Sequence, residues 1–241
     1  MKEERFFYVP EAAETDRLPD GEAAHAIRVL RMRAGDTMTL IDGKGTFYNA
    51  SVTHVDGKRC FYEITASTPW TREWNGACHI AVAPTKMTER IEWMAEKCTE
   101  IGVDTLSFLN CAHSERHDIK TDRLERIAAA AAKQSRKAVI PTINDMLPFD
   151  RFIATHTRGP RFIAHCHSDL PRASLLDELA QRTDPAAEKT VLIGPEGDFS
   201  EDEVQAALDN GFIPVHLGRS RLRTETAALY ALMMMHVCCP R

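Results

Sequence analysis

The chain has 241 residues, a formal net charge of -5, and 44% hydrophobic against 27% charged residues. That balance excludes a disordered chain, allows one large or two modest domains, and excludes a uniformly cationic surface that would attract nucleic acid from every side. No apolar run approaches the roughly 20 residues needed to cross a bilayer, the N-terminal MKEERFFYVPEAAETD lacks the apolar core of a secretory signal, and the seven cysteines are odd in number without a CxxC. The expectation is a cytoplasmic protein with reduced thiols, no membrane association and no metal.

Taken in chain order, residues 1–70 read mostly as strands: RFFYV, TMTLIDGKGTFYNASVTHV with a glycine turn at 42–45, and CFYEITAS, with EAAHAIRVLRM as one helix. That pattern predicts a small β-barrel, and PWTREWNG at 69–76 interrupts it as a linker. From residue 76 to 241 strands and helices alternate, which predicts an α/β domain on a largely parallel sheet. CHIAVA is its first strand. Met87, Ile91, Met94, Ala95, Cys98 and Ile101 then share one helical face that ends at Gly102. TLSFL is a strand, and TDRLERIAAAAAKQSRK is a helix begun by a Thr cap. RFIAHC, a helix near 172–182, TVLIG, a helix after Ser200, FIPVHLG and the helix TETAALYALMMMHVCC complete the list.

Charge is unevenly spread. His25, Arg28, Arg31 and Arg33 cluster in one segment, residues 113–137 carry seven Lys/Arg against four Asp/Glu, and RSRLR occupies 219–223. Each cluster is either a solvated face or a set of phosphate contacts.

Three loops follow strands at the end where open α/β sheets bind ligands: AHCHSDLP, GPEGDFS and LGRSRLRTETA. Ser200 and Glu203 form a capping box after the second, so the segment runs strand, glycine loop, helix N-terminus. Phosphate is the usual ligand of such a loop, but the chain has neither GxxxxGK[ST] nor GxGxxG, and Glu196 and Asp198 would repel it. A flat, hydrogen-bonding ligand that is uncharged or cationic fits better, with Gly194 expected to allow close backbone approach. His165 and His167 lack a third ligand spaced for a metal, and Cys111, His113 and His117 read as loop residues.

IGPEGDFS followed by LGRSRLRTETA, with HAIRVLRMRAGD, EKCTEIGV and KQSRKAVIP upstream, resembles the RsmE family of SPOUT methyltransferases over nearly the whole chain. The resemblance implies a trefoil-knotted α/β domain, a PUA-like N-terminal barrel, a homodimer, S-adenosylmethionine as cofactor, and methylation of uracil N3 at uridine 1498 of 16S ribosomal RNA in the small subunit. It assigns cofactor binding to Ile193, Gly194, Glu196, Gly197, Leu217, Gly218, Leu222, Arg223, Thr224, Glu225, Thr226 and Ala227. Arg223, Glu196 and Glu225 become the candidate catalytic residues, and Arg5, His25, Arg28, Arg31, Arg116, Arg136 and Lys137 the candidate RNA contacts. The chain departs from the family pattern at Asp198, where glycine is more usual, at Ser220 and Arg221, which stand for Arg and Ile, and at Lys137, which stands for an arginine. Asp198 puts the loop's backbone freedom in question, and the all-round apolar final helix calls for a cover from a second copy of the chain.

Overall fold

The structure, a computed structural model, describes residues 4–156, 158–182, 184 and 186–238. The chain divides into two compact units: one holds everything up to Thr71 together with Ala129–Ile140, the other Arg72–Ala128 and the chain from Pro141 onward.

In the first unit, β1 (Phe6–Tyr8), β2 (Thr37–Ile41), β3 (Thr46–Asp56) and β4 (Arg59–Pro69) form a four-stranded sheet in that order. β1 joins β2 in parallel and the other pairs are antiparallel, with register shifts in β3–β4 at Asn49/Ala50 and Val52/His54. Such bulges bend a strand and let a short sheet wrap its own core, here Phe7, Leu18, Leu40, Val52 and Tyr62. The expected helix is shorter than the sequence suggests. α1 (Asp20–Ala24) passes into a π-helical segment, His25–Val29, where Leu30 N–H reaches back five residues to His25 O. Residues 129–140 share a core cluster with these strands, through Ala132 and Ala138 against Ile41, Tyr8 and Phe47.

The second unit carries β5 (Ala77–Val82), α2 (Thr88–Ile101), β6 (Thr105–Asn110), the start of α3 (Thr121–Gln134), β7 (Thr142–Pro148), α4 (Phe149–Thr155), β8 (Arg161–Ala164), β9 (Ala173–Ser174), α5 (Leu175–Ala180), β10 (Glu188–Ile193), α6 (Glu201–Asp209), β11 (Ile213–His216) and α7 (Thr224–Cys238). Its sheet runs β7-β6-β5-β10-β8-β11-β9, every pair parallel. Central strands are buried on both faces, which is why Val191–Ile193 read as one unbroken apolar run. β7 and α4 are absent from the sequence reading, because β7 alternates poorly and ends in Pro148, which reads as a breaker yet sits in the N-cap position of α4.

The second half of the expected linker is anchored in this unit. Trp74 is buried, and its Nε1 donates to Asp104 Oδ2 at 3.1 Å, beside an Arg72–Asp104 ion pair of 2.7 Å. Of the predicted α2 face, Ile91, Met94, Ala95 and Cys98 are buried, while Met87 precedes the helix and is exposed. In α7, Leu232 and Met235 are buried within the chain, and the face left open carries Tyr230, Met233 and Val237. Cys239, expected at the end of that helix, lies outside the described residues.

His79 in β5 is 2% exposed; its Nε2 lies 2.8 Å from Ser107 Oγ, its Nδ1 3.5 Å from Glu188, and its ring faces Phe152 and His156. Burial pushes its pKa below the ordinary value, with Glu188 opposing and His156 assisting. The unfolded chain therefore binds a proton here at a higher pH than the folded one does, and stability must fall as pH drops below the unfolded value of about 6.5. Urea midpoints should decline from pH 7.5 toward pH 5, and the decline should be smaller in His79→Gln. An identical decline in both proteins would remove His79 as a cause.

Candidate functional site

The register of the parallel strands places Val82, Ile193, Ala164 and Val215 in one row across β5, β10, β8 and β11. The chain leaves the sheet just beyond that row, so the loops at 165–172, 194–200 and 217–223 start side by side. They wall a cavity of about 380 Å³. This is the carboxyl edge of the sheet, where the sequence places the ligand loops.

Hydrogen bonds tie the three loops together. Thr224 Oγ1 donates to Gly194 O at 3.1 Å, and the Asp198 carboxylate accepts from Cys166 N at 2.6 Å and from Phe199 N at 2.9 Å. His167 Nε2 donates to Phe199 O at 2.7 Å, and Arg172 donates to the His165 carbonyl at 2.7 Å. Behind them the expected capping box is complete: Ser200 and Glu203 bond each other's backbone, and the second Glu203 oxygen accepts from Ala112 N at 2.8 Å.

Asp198 has φ = 66°, a left-handed conformation. The glycine usual in the family would take it freely, but aspartate is among the residues that tolerate it, because its short carboxylate can bond nearby backbone. Gly194 lines the cavity and has a second reason for being glycine. A Cβ there would point at the Phe199 ring and backbone, 3.2 Å away, so Gly194 also makes room for buried Phe199. At Gly218 the need is conformational, with φ = 117° and open space beyond.

Of the sequence candidates, Ile193, Gly194, Glu196, Leu217, Gly218, Leu222, Arg223, Thr224, Glu225 and Ala227 line the cavity. Gly197 instead faces His113, and Thr226 lies on a neighbouring depression with Met87 and Trp93. Arg90, His165, Cys166, Arg172, Asp198 and His216 join the lining without having been singled out as site residues. The loop after residue 164 carried a visible signal; Arg90, on α2, carried none.

His165 is 3% exposed, and neither ring nitrogen has a hydrogen-bond partner among the described residues. Burial, with Arg172 second, pushes its pKa down to about 4, so the ring is neutral near pH 7 and offers one donor and one acceptor. Glu225 is 7% exposed; one oxygen lies 3.7 Å from Arg90 Nη1 and the other is buried without a partner. Leaving such groups unsatisfied costs about 1–3 kcal/mol each, and these two stand in the wall of the cavity. Glu196 and Arg223 are exposed at the cavity rim.

The RNA candidates divide between the units. His25, Arg28 and Arg31 are exposed on the first unit, where Arg5 lies 3.8 Å from Asp36 and Arg136 lies over the Phe6 ring with Glu4 3.9 Å away. Lys137 is half-buried, its N–H bonded to Ala132 O. Arg116 braces its own unit, donating to Thr85 O, Lys86 O and Thr88 Oγ1. Cys111, expected in an open loop, is buried, while His113 is exposed and donates to Asp198 O at 3.0 Å.

Asp198 gives the site a direct test. Backbone strain of about 1 kcal/mol is offset by two hydrogen bonds to a charged group, worth roughly 1.5–3 kcal/mol each. Asp198→Ala loses both bonds and keeps the strain, so it should destabilise by about 3 kcal/mol or more, and Asp198→Gly by about 1 kcal/mol less because it relieves the strain. Chemical denaturation checks the order; a glycine variant less stable than the alanine variant would contradict it.

Residues 72–236 match the RNA methyltransferase domain family and residues 18–65 the RNA methyltransferase PUA domain. The chain is similar to a probable rRNA-methyltransferase from Porphyromonas gingivalis, with 45% identity, a TM-score of 0.90, and 97% of this chain and 98% of that one covered. It also resembles a ribosomal RNA small subunit methyltransferase E from Neisseria gonorrhoeae bound to S-adenosyl methionine, at 25% identity, a TM-score of 0.83 and 98% of each chain. The ribosomal RNA small subunit methyltransferase E of Mycobacterium bovis is 31% identical over 94% of this chain and 88% of its own length. A PUA domain, a parallel α/β domain and a ligand cavity at the carboxyl edge therefore stand together on one sequence, and the chain belongs to the RsmE family of RNA methyltransferases.

Proposed function

We propose that this protein transfers the methyl group of S-adenosylmethionine to N3 of a uridine in 16S ribosomal RNA, the one at position 1498. The observation that carries the reading is the cavity between the two glycine loops, lined by a neutral imidazole and a buried carboxylate oxygen that no group among the described residues satisfies. These residues fit the cofactor. An adenosyl group presents hydrogen-bond donors and acceptors without phosphate, which suits His165 and the loop backbone, and a cationic centre suits Glu225. When bound, the cofactor supplies an electrophilic methyl group.

The chain's own residues do the rest. Ile193, Leu217, Leu222 and Ala227 give the cavity an apolar floor that excludes water, and the loops hold two reactants in line, an alignment that lowers the barrier on its own. Uracil N3 must lose its proton as it attacks. Glu196 sits at the exposed rim, where a base arriving from RNA passes and where the proton can leave to water, so proton acceptance falls to Glu196. Arg223, also at the rim, stabilises the negative charge that develops on the uracil oxygens. Glu225, held by Arg90, faces the cofactor.

Incubation of the protein with 16S RNA and isotopically labelled S-adenosylmethionine, followed by nucleoside analysis, should yield N3-methyluridine. Glu196→Gln should lower kcat by at least about 100-fold with little change in cofactor affinity, in keeping with the loss of a general base. Label on another atom, or full activity in the variant, would overturn the site of transfer or the base respectively.

A homodimer belongs to the same reading. Thr226, Tyr230, Met233 and Val237 are spaced as one face of α7, and Met233 and Val237 are 53% and 70% exposed. A second copy about a two-fold axis would cover that face. Light scattering should give twice the chain mass, and Met233→Glu with Val237→Glu should give a monomer; a wild-type monomer would contradict the dimer.

A further inference from the structure

Beside the cavity lies a second concavity of about 1120 Å³, lined by residues 166–170, Arg172, Asp198, Glu201, His216 and 218–221. It opens into the first, since Cys166, Arg172, Asp198, Ser220 and Arg221 line both. Its acids are mostly committed. Asp198 holds Cys166 N and Phe199 N, Asp169 accepts from Ser168, and Glu201 stands in the first turn of α6. Arg172 is committed as well, to the His165 carbonyl.

Arg219 and Arg221 differ. Both are exposed, and neither makes a hydrogen bond or an ion pair among the described residues. The lining balances Arg172, Arg219 and Arg221 against Asp169, Asp198 and Glu201, but the two unpaired guanidinium groups stand at the mouth of a ligand cavity, placed to meet an anionic strand. The basin is far larger than one phosphate. Chemistry on a base edge also requires the nucleotide to leave its stack, and the strand on either side must then be held.

We propose that this basin seats the RNA strand around the reacting nucleotide, with Arg219 and Arg221 each meeting a backbone phosphate while the base passes inward to the cavity. The assignment rests on the RNA methyltransferase reading given above. Arginine suits the task because its planar fork meets phosphate oxygens in pairs. It also gives Arg221 a use at the position where the family pattern has an apolar residue.

The test measures binding of a fluorescently labelled 16S transcript across a salt series. Each phosphate contact on a single strand contributes about 0.7 to the slope of log K against log salt. Arg219→Ala, which removes a group that lines only this basin, should therefore flatten the slope by about 0.7 and leave S-adenosylmethionine affinity, measured by calorimetry, within about twofold, and adding Arg221→Ala should bring the loss of slope to about 1.4. Arg219→Lys with Arg221→Lys should restore most of the slope, since charge is kept. An unchanged slope in the double alanine variant, with wild-type protein still methylating RNA, overturns the basin assignment alone. A wild-type protein that binds the cofactor but modifies no RNA overturns the basin and the underlying reading together. Loss of cofactor affinity in Arg219→Ala would place Arg219 in the cofactor's site and also reject the proposal.

Discussion

The site depends on the in-register parallel pairing of β10, β8 and β11. Parallel pairing points every carboxyl end the same way, and the register sets Ile193, Ala164 and Val215 in one row, so three loops distant in sequence leave the sheet as neighbours. A one-residue slip of any strand would turn its buried side chains to the other face, which fixes the row as firmly as the core itself. That core includes Ile163, Leu192, Phe199 and Phe212, all buried, so the loops stand on a close-packed base.

What the sheet brings together, a few polar contacts hold in shape. Thr224 ties the start of α7 to Gly194, and Asp198 ties the loop after β8 to the loop after β10 from a strained backbone position. Phe199 fills the space beneath Gly194, so the glycine loop is closed on its inner side by an aromatic ring and open only toward the cavity. In the wall of that cavity the His165 ring nitrogens and one oxygen of Glu225 have no hydrogen-bond partner among the described residues. In this unit the strained Asp198 and the unsatisfied groups of His165 and Glu225 line one cavity, while the first unit has its own such features in Arg31, Arg136 and Glu22.

Much of this is legible in the residues. The capping box of Ser200 and Glu203, the run Val191–Ile193 and the break at Gly194-Pro195 are local signals, and local physics forms them as read. Three things are not local. Phe199 beneath Gly194 is a contact across a turn, so the sequence suggests ligand clearance and does not show the side-chain packing beside it. Arg90 reaches Glu225 across 135 residues, and no periodicity announces it. His165 reads in the sequence only as a histidine without a third ligand for a metal, and its burial without a bonding partner among the described residues is a property of the packed structure. The same limit explains residues 129–140. Their alanines predict a helix, but only the packed structure sets Ala132 and Ala138 against Ile41.

The claim on which the account turns is that the row of strand ends builds a pocket for an adenosyl group, with His165 as its buried polar contact. A crystal structure of the protein with S-adenosylhomocysteine tests it most directly. The account predicts the nucleoside between the 194–200 and 217–223 loops, with a His165 ring nitrogen within hydrogen-bond distance of it. A ligand bound elsewhere, or one in this cavity that leaves both His165 nitrogens bare, would contradict it.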